Sequence, residues 1–211
     1  ELGTQLSDYS TLLNLLNPDD IVRITLNANP DSLGKSKSPD QLQELRLQTL
    51  RNRVPDSYLW PSISSADVTT KKYPLTLLKI LKAATMECLS ENPPYSPNFM
   101  LPLFSSIYAD GQQMVTFTGI VLDSHEKEAK IKEALKNYPH NTFSWDTPSK
   151  IEIPALSVRE ITELNKLLPN PDIRQQLIEC FPFIFSEKDG QAVDSYISYY
   201  KYYPNYHQVS F

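Results

Sequence analysis

Two strand-like runs flank the dipeptide Asp110-Gly111 in the stretch Leu101–Asp123, which reads LPLFSSIYADGQQMVTFTGIVLD. Both runs are rich in β-branched and aromatic residues, and Asp-Gly readily supplies the positive φ angles of a tight hairpin turn. The stretch therefore predicts an antiparallel hairpin. At 211 residues, the chain is long enough for one well-buried domain, or for one domain with a sizeable appendage.

The beginning of the chain predicts half of a βαβ unit. Gln5–Leu16 carries apolar side chains at helical spacing, and Ile21–Leu26 (IVRITL) is short, mostly apolar and β-branched. Such a run is typical of a strand that is buried on both faces of a parallel sheet. Because a helix that leads into a buried strand is the second half of a βαβ unit, we expect a first strand before Glu1.

Apolar periodicity and capping signals predict the remaining elements. We expect helices at Gln41–Arg53, Tyr73–Leu89, Ser124–Asn137, from a capping box of Ser157 and Glu160 to Leu168, and at Asp172–Cys180 and Gln191–Tyr203, and a strand at Lys150–Ile153. The predicted fold class is α/β. Residues 1–137 would form the α/β domain, with an insertion at about residues 31–72, and residues 138–211 a helical and loop extension packed on it.

Composition and charge exclude several classes of protein. The net charge of −5 and the pI of about 5.2 provide no global basic field, which argues against nucleic-acid and membrane partners. The sequence contains neither a long apolar run nor a signal peptide. Cys88 and Cys180 stand in helix-like apolar surroundings, which favours two buried, reduced thiols in a cytoplasmic protein.

Polar side chains follow the predicted strand Ile21–Leu26. Asn27, Asn29, Asp31 and Ser32 would emerge at its carboxyl end, the edge at which open α/β sheets bind ligands. Amide groups donate and accept hydrogen bonds at once, which suits a polar substrate. Asn and Asp also close turns in most loops. The sequence leaves both interpretations open.

The tip of the predicted hairpin offers a second group of polar side chains. Tyr108, Asp110 and Gln112 would lie on the same rim if the first hairpin strand runs parallel to Ile21–Leu26. The alternative is that Asp110-Gly111 only forms the turn. We find no histidine placed for catalysis, no nucleophile with a recognisable base and no cluster at metal-ligand spacing. Catalytic and cofactor-binding residues stay unassigned, and no metal site is predicted.

Four segments resemble a family of bacterial proteins described as putative O-methyltransferases. The segments are Ile21–Gly34, Tyr73–Ala84, Ser106–Asp123 and the ending YYKYYPNYHQVSF. The resemblance is to the C-terminal half of a class I S-adenosylmethionine-dependent methyltransferase. It implies a partial Rossmann-like sheet in which Ile21–Leu26 is strand five, Leu103–Tyr108 strand six and Met114–Leu122 strand seven, inserted antiparallel between the other two.

The implied function is transfer of a methyl group to an oxygen or nitrogen atom of an unknown substrate. No residue matches the glycine-rich loop or the acid that hold S-adenosylmethionine in this fold, so the cofactor is expected in an intact protein of which this chain is a fragment. A missing half sheet would also leave an exposed edge, which a homo-oligomer or the missing N-terminal half could cover.

The alternative is a non-catalytic protein-binding module with a methyltransferase-like fold. In that case the basic helix Gln41–Arg53, with Arg46, Arg51 and Arg53, or the tyrosine-rich C-terminal end would dock a partner. Both features also have plain structural interpretations. The arginines would form a solvated helix face, and the tyrosines, which recur at helical spacing, would pack as an amphipathic face.

Overall fold

The computed structural model describes residues 2–36, 38–90, 98–138, 140–152, 156–170, 173–182 and 190–200. The chain divides into two compact units, residues 1–149 and residues 150–211. The first unit contains, in chain order, α1 (Leu2–Leu13), β1 (Ile21–Asn27), α2 (Pro39–Arg53), α3 (Tyr73–Ser90), β2 (Phe99–Asp110), β3 (Gln112–Leu122) and α4 (His125–Leu135). Short 3₁₀ turns at Pro30–Leu33, Asp56–Tyr58 and Ser65–Val68 connect them. The predicted α/β class is therefore confirmed.

The predicted hairpin is formed by β2 and β3. The two strands pair from Phe99 with Leu122 to Asp110 with Gln112, and Gly111 makes the turn with φ of 68°. β3 also pairs antiparallel with β1, from Ile21 with Ile120 to Asn27 with Met114. β3 therefore lies between β1 and β2, which run in the same direction.

The prediction that the first strand is buried on both faces is wrong. Val22 and Leu26 are buried, whereas Arg23 and Thr25 are exposed and Ile21 retains 62% of its accessible surface. Burial alternates because α1 and α3 contribute to a core on one face of the strand. The described neighbour of β1 is the antiparallel strand β3, not a parallel one.

The main core is built between the sheet, α1 and α3. Leu13, Leu77, Leu78, Phe117 and Val121 are each fully buried in it. Its polar groups are paired, because the Tyr9 hydroxyl lies 2.8 Å from Oγ1 of Thr85, which itself donates to the carbonyl of Leu81. On the other face of the hairpin, α4 packs Ile131 and Leu135 over Leu101 and Ile120.

Two side chains pack closely against the backbone of Gly119 in β3. A Cβ atom at this position would lie 2.6 Å from Sδ of Met100 and 2.8 Å from Cζ of Phe117. A side chain here would therefore displace the core packing of the sheet.

Residues 140–149 belong to the first compact unit. The amide of Thr142 donates to the carbonyl of Leu103 over 3.0 Å, and the Trp145 ring stacks on Phe117 with centroids 3.9 Å apart. These contacts tie the segment to the hairpin, and the first compact unit extends to Ser149.

The second unit is helical. It contains α5 (Val158–Lys166), α6 (Ile173–Cys180) and α7 (Gly190–Tyr199), and the short strand β4 (Ser149–Ile151) spans its boundary with the first unit. The predicted capping box is confirmed, since Oγ of Ser157 accepts from the Glu160 amide and Oε2 of Glu160 accepts from the Ser157 amide. The backbone and side-chain hydrogen bonds from Ser157 hold the pKa of Glu160 below its usual value.

Tyr196 of α7 is packed in the core of the second unit, and one of the two cysteines is not buried. Tyr196 is buried with Leu164 and Leu177, and its hydroxyl donates to Oδ1 of Asn165 over 3.2 Å, which favours the packing interpretation. The rest of the tyrosine-rich C-terminal end, residues 201–211, lies outside the described residues. Cys88 is buried as predicted, but the prediction for Cys180 is wrong, because it lies exposed at the end of α6.

Candidate functional site

The carboxyl ends of β1 and β2 meet at one edge of the sheet, which we call the sheet rim. Asn27 pairs with Met114, and Met114 pairs with Tyr108, so the three residues form one row across β1, β3 and β2. Side chains of directly paired residues project from the same face of a sheet. The structure therefore brings the loop after β1 and the hairpin tip together.

The loop after β1 folds through its own polar side chains. Oδ1 of Asn27 accepts from the Asn29 amide at 2.9 Å, and Oδ1 of Asn29 accepts from the Asp31 amide at 3.0 Å. Asn29 thereby caps the 3₁₀ turn Pro30–Leu33, in which Pro30 takes the first position. Oγ of Ser32 donates back to the Asn29 carbonyl over 2.7 Å. The acceptor groups of both amides are thus used by the turn.

The Asp31 carboxylate is paired with Arg46 of α2, a contact that the sequence does not predict. The guanidinium of Arg46 pairs with Oδ1 of Asp31, and its Nε donates to the carbonyl of Gly34 over 3.2 Å. Arg46 is 5% exposed, whereas the Asp31 side chain keeps 44% of its surface. Nζ of Lys35 lies 3.7 Å from the second carboxylate oxygen of Asp31. The loop therefore presents a half-exposed carboxylate whose position is fixed from below.

The other two arginines of α2, Arg51 and Arg53, also donate hydrogen bonds to backbone carbonyl groups of this chain. Nη1 of Arg53 donates to the carbonyl of Ser32 over 3.0 Å, and Nη2 of Arg51 donates to that of Ile63 over 3.3 Å. The interpretation of this segment as a solvated basic face is therefore wrong for Arg46, which is buried. These contacts also remove the argument that α2 offers three unused cations to a partner.

Tyr73, the first residue of α3, lies beneath the loop. Burial raises the pKa of its phenol to about 12, against the opposing effects of a hydrogen bond with Ser32 and of the Arg53 charge. The phenol therefore stays protonated at neutral pH and supports the loop as a hydrogen-bonding group. The sequence predicts that Tyr73 begins a helix, but it does not predict this contact with the loop.

Gln113 joins the hairpin tip to the loop. Its backbone carbonyl accepts from the Ala28 amide at 2.8 Å, and its Nε2 donates to the carbonyl of Thr70 over 3.0 Å. The neighbouring Gln112 is exposed and Tyr108 is half-buried. Asp110 forms the last backbone pair of β2, opposite Gln112. The tip is thus anchored by Gln113, while Gln112 and part of Tyr108 face solvent.

The described residues offer little for acid–base or metal chemistry. They contain no group of three or more His, Cys, Asp or Glu side chains that could hold a metal ion. Nδ1 of His125 lies 2.8 Å from Oε2 of Glu128 on the surface of α4. Burial lowers the pKa of His140. Neither histidine belongs to the sheet rim, and His207 lies outside the described residues.

The geometry defines an α/β protein with a polar rim at the carboxyl ends of two parallel strands. A family model described as "Putative O-methyltransferase" matches residues 1–211, and the chain therefore belongs to this family. No curated protein matches the chain, and no solved structure matches it. Within the part of the chain that the structure describes, no helix has the length and hydropathy needed to cross a membrane.

Family membership confirms the predicted resemblance at the level of the family. The finer parts of that resemblance stay predictions. They are the assignment of β1, β3 and β2 to methyltransferase strands five, seven and six, and the description of the chain as a C-terminal half. The substrate-binding role of the rim residues also stays a prediction.

Proposed function

We propose that this chain is the substrate-side part of an S-adenosylmethionine-dependent methyltransferase that methylates an oxygen or nitrogen atom. The observation that carries the proposal is the strand order, with β3 antiparallel between the parallel strands β1 and β2. This is the order that the methyltransferase resemblance implies for strands five, seven and six. Membership in the "Putative O-methyltransferase" family supports the same activity.

The loop after β1 does not fit S-adenosylmethionine by itself. Gly34 is the glycine that follows β1, and a Cβ placed on it would lie 3.2 Å from Cδ2 of Leu45. The space beside this glycine is therefore filled by the chain's own side chain and offers no cradle for a cofactor. In our proposal the cofactor-binding strands lie outside residues 1–211. The position of β1 supports this, because it is the end strand of the described sheet and further strands could pair along its other edge.

The proposed role of this chain is to hold the methyl acceptor. When bound, S-adenosylmethionine supplies an electrophilic methyl group, and the remaining requirement is that the acceptor atom be held in line with it. The residues proposed to contact the substrate are Asn27, Asn29, Asp31, Ser32, Tyr108, Asp110 and Gln112. The ion pair between Arg46 and Asp31 would keep the carboxylate in place while a substrate hydroxyl or amine donates to it.

The test is calorimetric titration of S-adenosylmethionine into this chain and into the full-length gene product. We expect binding to the longer protein and none to the isolated chain. Absence of binding to both proteins, with both shown to be folded by circular dichroism, would remove the methyltransferase assignment. Binding to the isolated chain would keep the methyltransferase assignment and overturn its division into two halves.

A non-catalytic binding module is the other candidate function. It was suggested by the basic helix α2 and by the tyrosine-rich end. Arg46 and Arg53 of α2 contact the loop after β1, and Tyr196 is buried in the second unit. No described contact therefore favours this candidate over methyl transfer.

A further inference from the structure

A cavity of about 420 Å³ opens beside α3, away from the sheet rim. On α3 it is lined by Lys79, Lys82, Ala83 and Met86, which recur at the spacing of one helix face. At a rise of about 1.5 Å per residue, these residues lie roughly 9 to 20 Å along the helix from Tyr73. We call this site the α3 cavity. It does not depend on the proposed methyl transfer.

The walls of the α3 cavity are apolar and aromatic. Tyr58, Leu59 and Trp60 approach from the 3₁₀ turn that follows α2, and Met86 faces them with 64% of its surface exposed. Leu59 and Trp60 also pack against the main core, which holds this wall in place. Its volume lies in the range of small-molecule sites, and the exposure of Met86 and Lys82 leaves it open to solvent on one side.

The charged groups at the cavity give it a net charge of +1. Nζ of Lys79 lies 4.9 Å from the centroid of the Trp60 ring, and Nζ of Lys82 lies 3.7 Å from Oδ2 of Asp146. Among the described residues, no carboxylate lies within ion-pair distance of Lys79. The cavity thus contains one ammonium group paired with a carboxylate and one held only by the face of an indole ring.

We propose that the α3 cavity binds a small organic monoanion with an aromatic body, such as an aromatic carboxylate. The carboxylate would pair with Lys79, and the ring would lie among Trp60, Leu59 and Met86. A cationic ligand is disfavoured, because the ammonium groups of Lys79 and Lys82 would repel it and Lys79 already covers the indole face. A dianion would exceed the net charge of the lining.

The test is calorimetric titration of 1-naphthoate, with neutral 1-naphthamide as the matched probe, into the whole chain. We expect 1-naphthoate to bind, and 1-naphthamide to bind at least fivefold more weakly. Lys79→Gln should weaken naphthoate binding by about fivefold, since a charge-assisted hydrogen bond is lost at a partly open site. Lys130→Gln, which removes an exposed lysine of α4, should change nothing.

Asp146→Asn changes an exposed side chain and tests the proposal by a gain of affinity. Removing this carboxylate frees Lys82, so naphthoate should bind about threefold more tightly. The proposal is overturned if 1-naphthoate does not bind at millimolar concentration or if 1-naphthamide binds equally well. It is also overturned if Lys79→Gln has no effect on folded protein or if Asp146→Asn weakens binding.

Discussion

The sheet rim and the α3 cavity use charged and polar side chains in opposite ways. At the rim, Asn27, Asn29 and Arg46 direct their groups at the chain's own backbone and at Asp31. At the cavity, Lys79 contacts an aromatic face and Lys82 is half-exposed in a loose ion pair. The comparison shows that polar residues clustered after a strand first serve the loop's own geometry. A ligand at the rim would therefore meet the half-exposed Asp31 carboxylate and Gln112, and a ligand at the cavity would meet Lys79.

Gly34→Ala gives the largest expected effect at the rim. Gly34 has φ of 146° and ψ of 156°, a region open essentially to glycine alone, and the new methyl group would also press on Leu45 at 3.2 Å. We expect a loss of about 3 kcal/mol in the free energy of unfolding, measured by urea denaturation. Gly111→Ala is the control, because its Cβ would meet no atom within 4 Å, and it should cost about 1 kcal/mol. Equal losses would show that Leu45 and the unusual ψ angle do not matter.

Arg46→Met tests whether the rim depends on its buried cation. The substitution keeps the length of the stem but removes the donors to Asp31 and Gly34, and we expect a loss of about 2 kcal/mol. Arg51→Met is the matched control on the same helix, where an exposed guanidinium donates to the Ile63 carbonyl over 3.3 Å, and it should cost under about 0.5 kcal/mol. If both variants unfold at the same urea concentration, the buried pair does not hold the loop.

Alkaline pH tests the buried phenol beneath the rim. The pKa of Tyr73 is about 12 in the folded chain and near 10 when unfolded, so its contribution to stability is complete below pH 10 and is lost as the pH rises towards 12. This linkage removes about 1.4 kcal/mol by pH 11. Tyr9, whose pKa burial raises to about 12, contributes in the same direction. Tyr73→Phe should therefore lose less stability than the parent chain between pH 9 and pH 11 in urea titrations, and an unchanged slope would contradict the burial argument.

Asn29→Ala sharpens the interpretation of the loop amides. Loss of the cap on the Asp31 amide should cost about 1 kcal/mol, whereas Asn29→Asp keeps the accepting oxygen and should cost about a third of that or less. Thermal unfolding of the two variants provides the measurement. A result in which Ala and Asp destabilise equally would mean that the amide nitrogen, and not the capping oxygen, is the important group.

Lys79→Gln should have the smallest effect of the set. Because the ammonium is exposed and bonds to no carboxylate among the described residues, the free energy of unfolding should change by less than about 0.5 kcal/mol. A loss comparable with that of Arg46→Met would erase the contrast between the two regions. It would also assign Lys79 a structural role.

Features controlled by neighbouring residues were predictable from the sequence. The Asp110-Gly111 hairpin and the capping box of Ser157 and Glu160 both depend on residues within a few positions, and both are present. The position of the rim was also predictable from the sequence, because the apolar run of β1 shows where that strand ends. The direction of β2 relative to β1 decided whether Tyr108 would join it.

Features that depend on distant residues were not predictable. Whether β1 is buried on one face or two depends on which helices cover it, and the sequence of the strand alone does not carry that information. The pairing of Arg46 with Asp31 depends on the rotation of α2 about its axis, and the α3 cavity needs Trp60, Lys79 and Asp146 from three separate segments. Local patterns therefore predicted turns and caps, while ion pairs and cavities required the tertiary structure.

The stacking of Trp145 on Phe117 has a consequence for how this protein can be divided. A chain cut after Asn137 would lose this ring and the amide of Thr142, leaving the Phe117 face and the Leu103 carbonyl uncovered. Expression of the first unit alone should therefore extend to Ser149. Proteases that cleave between the two units should release a stable fragment only if residues 140–149 remain attached to it.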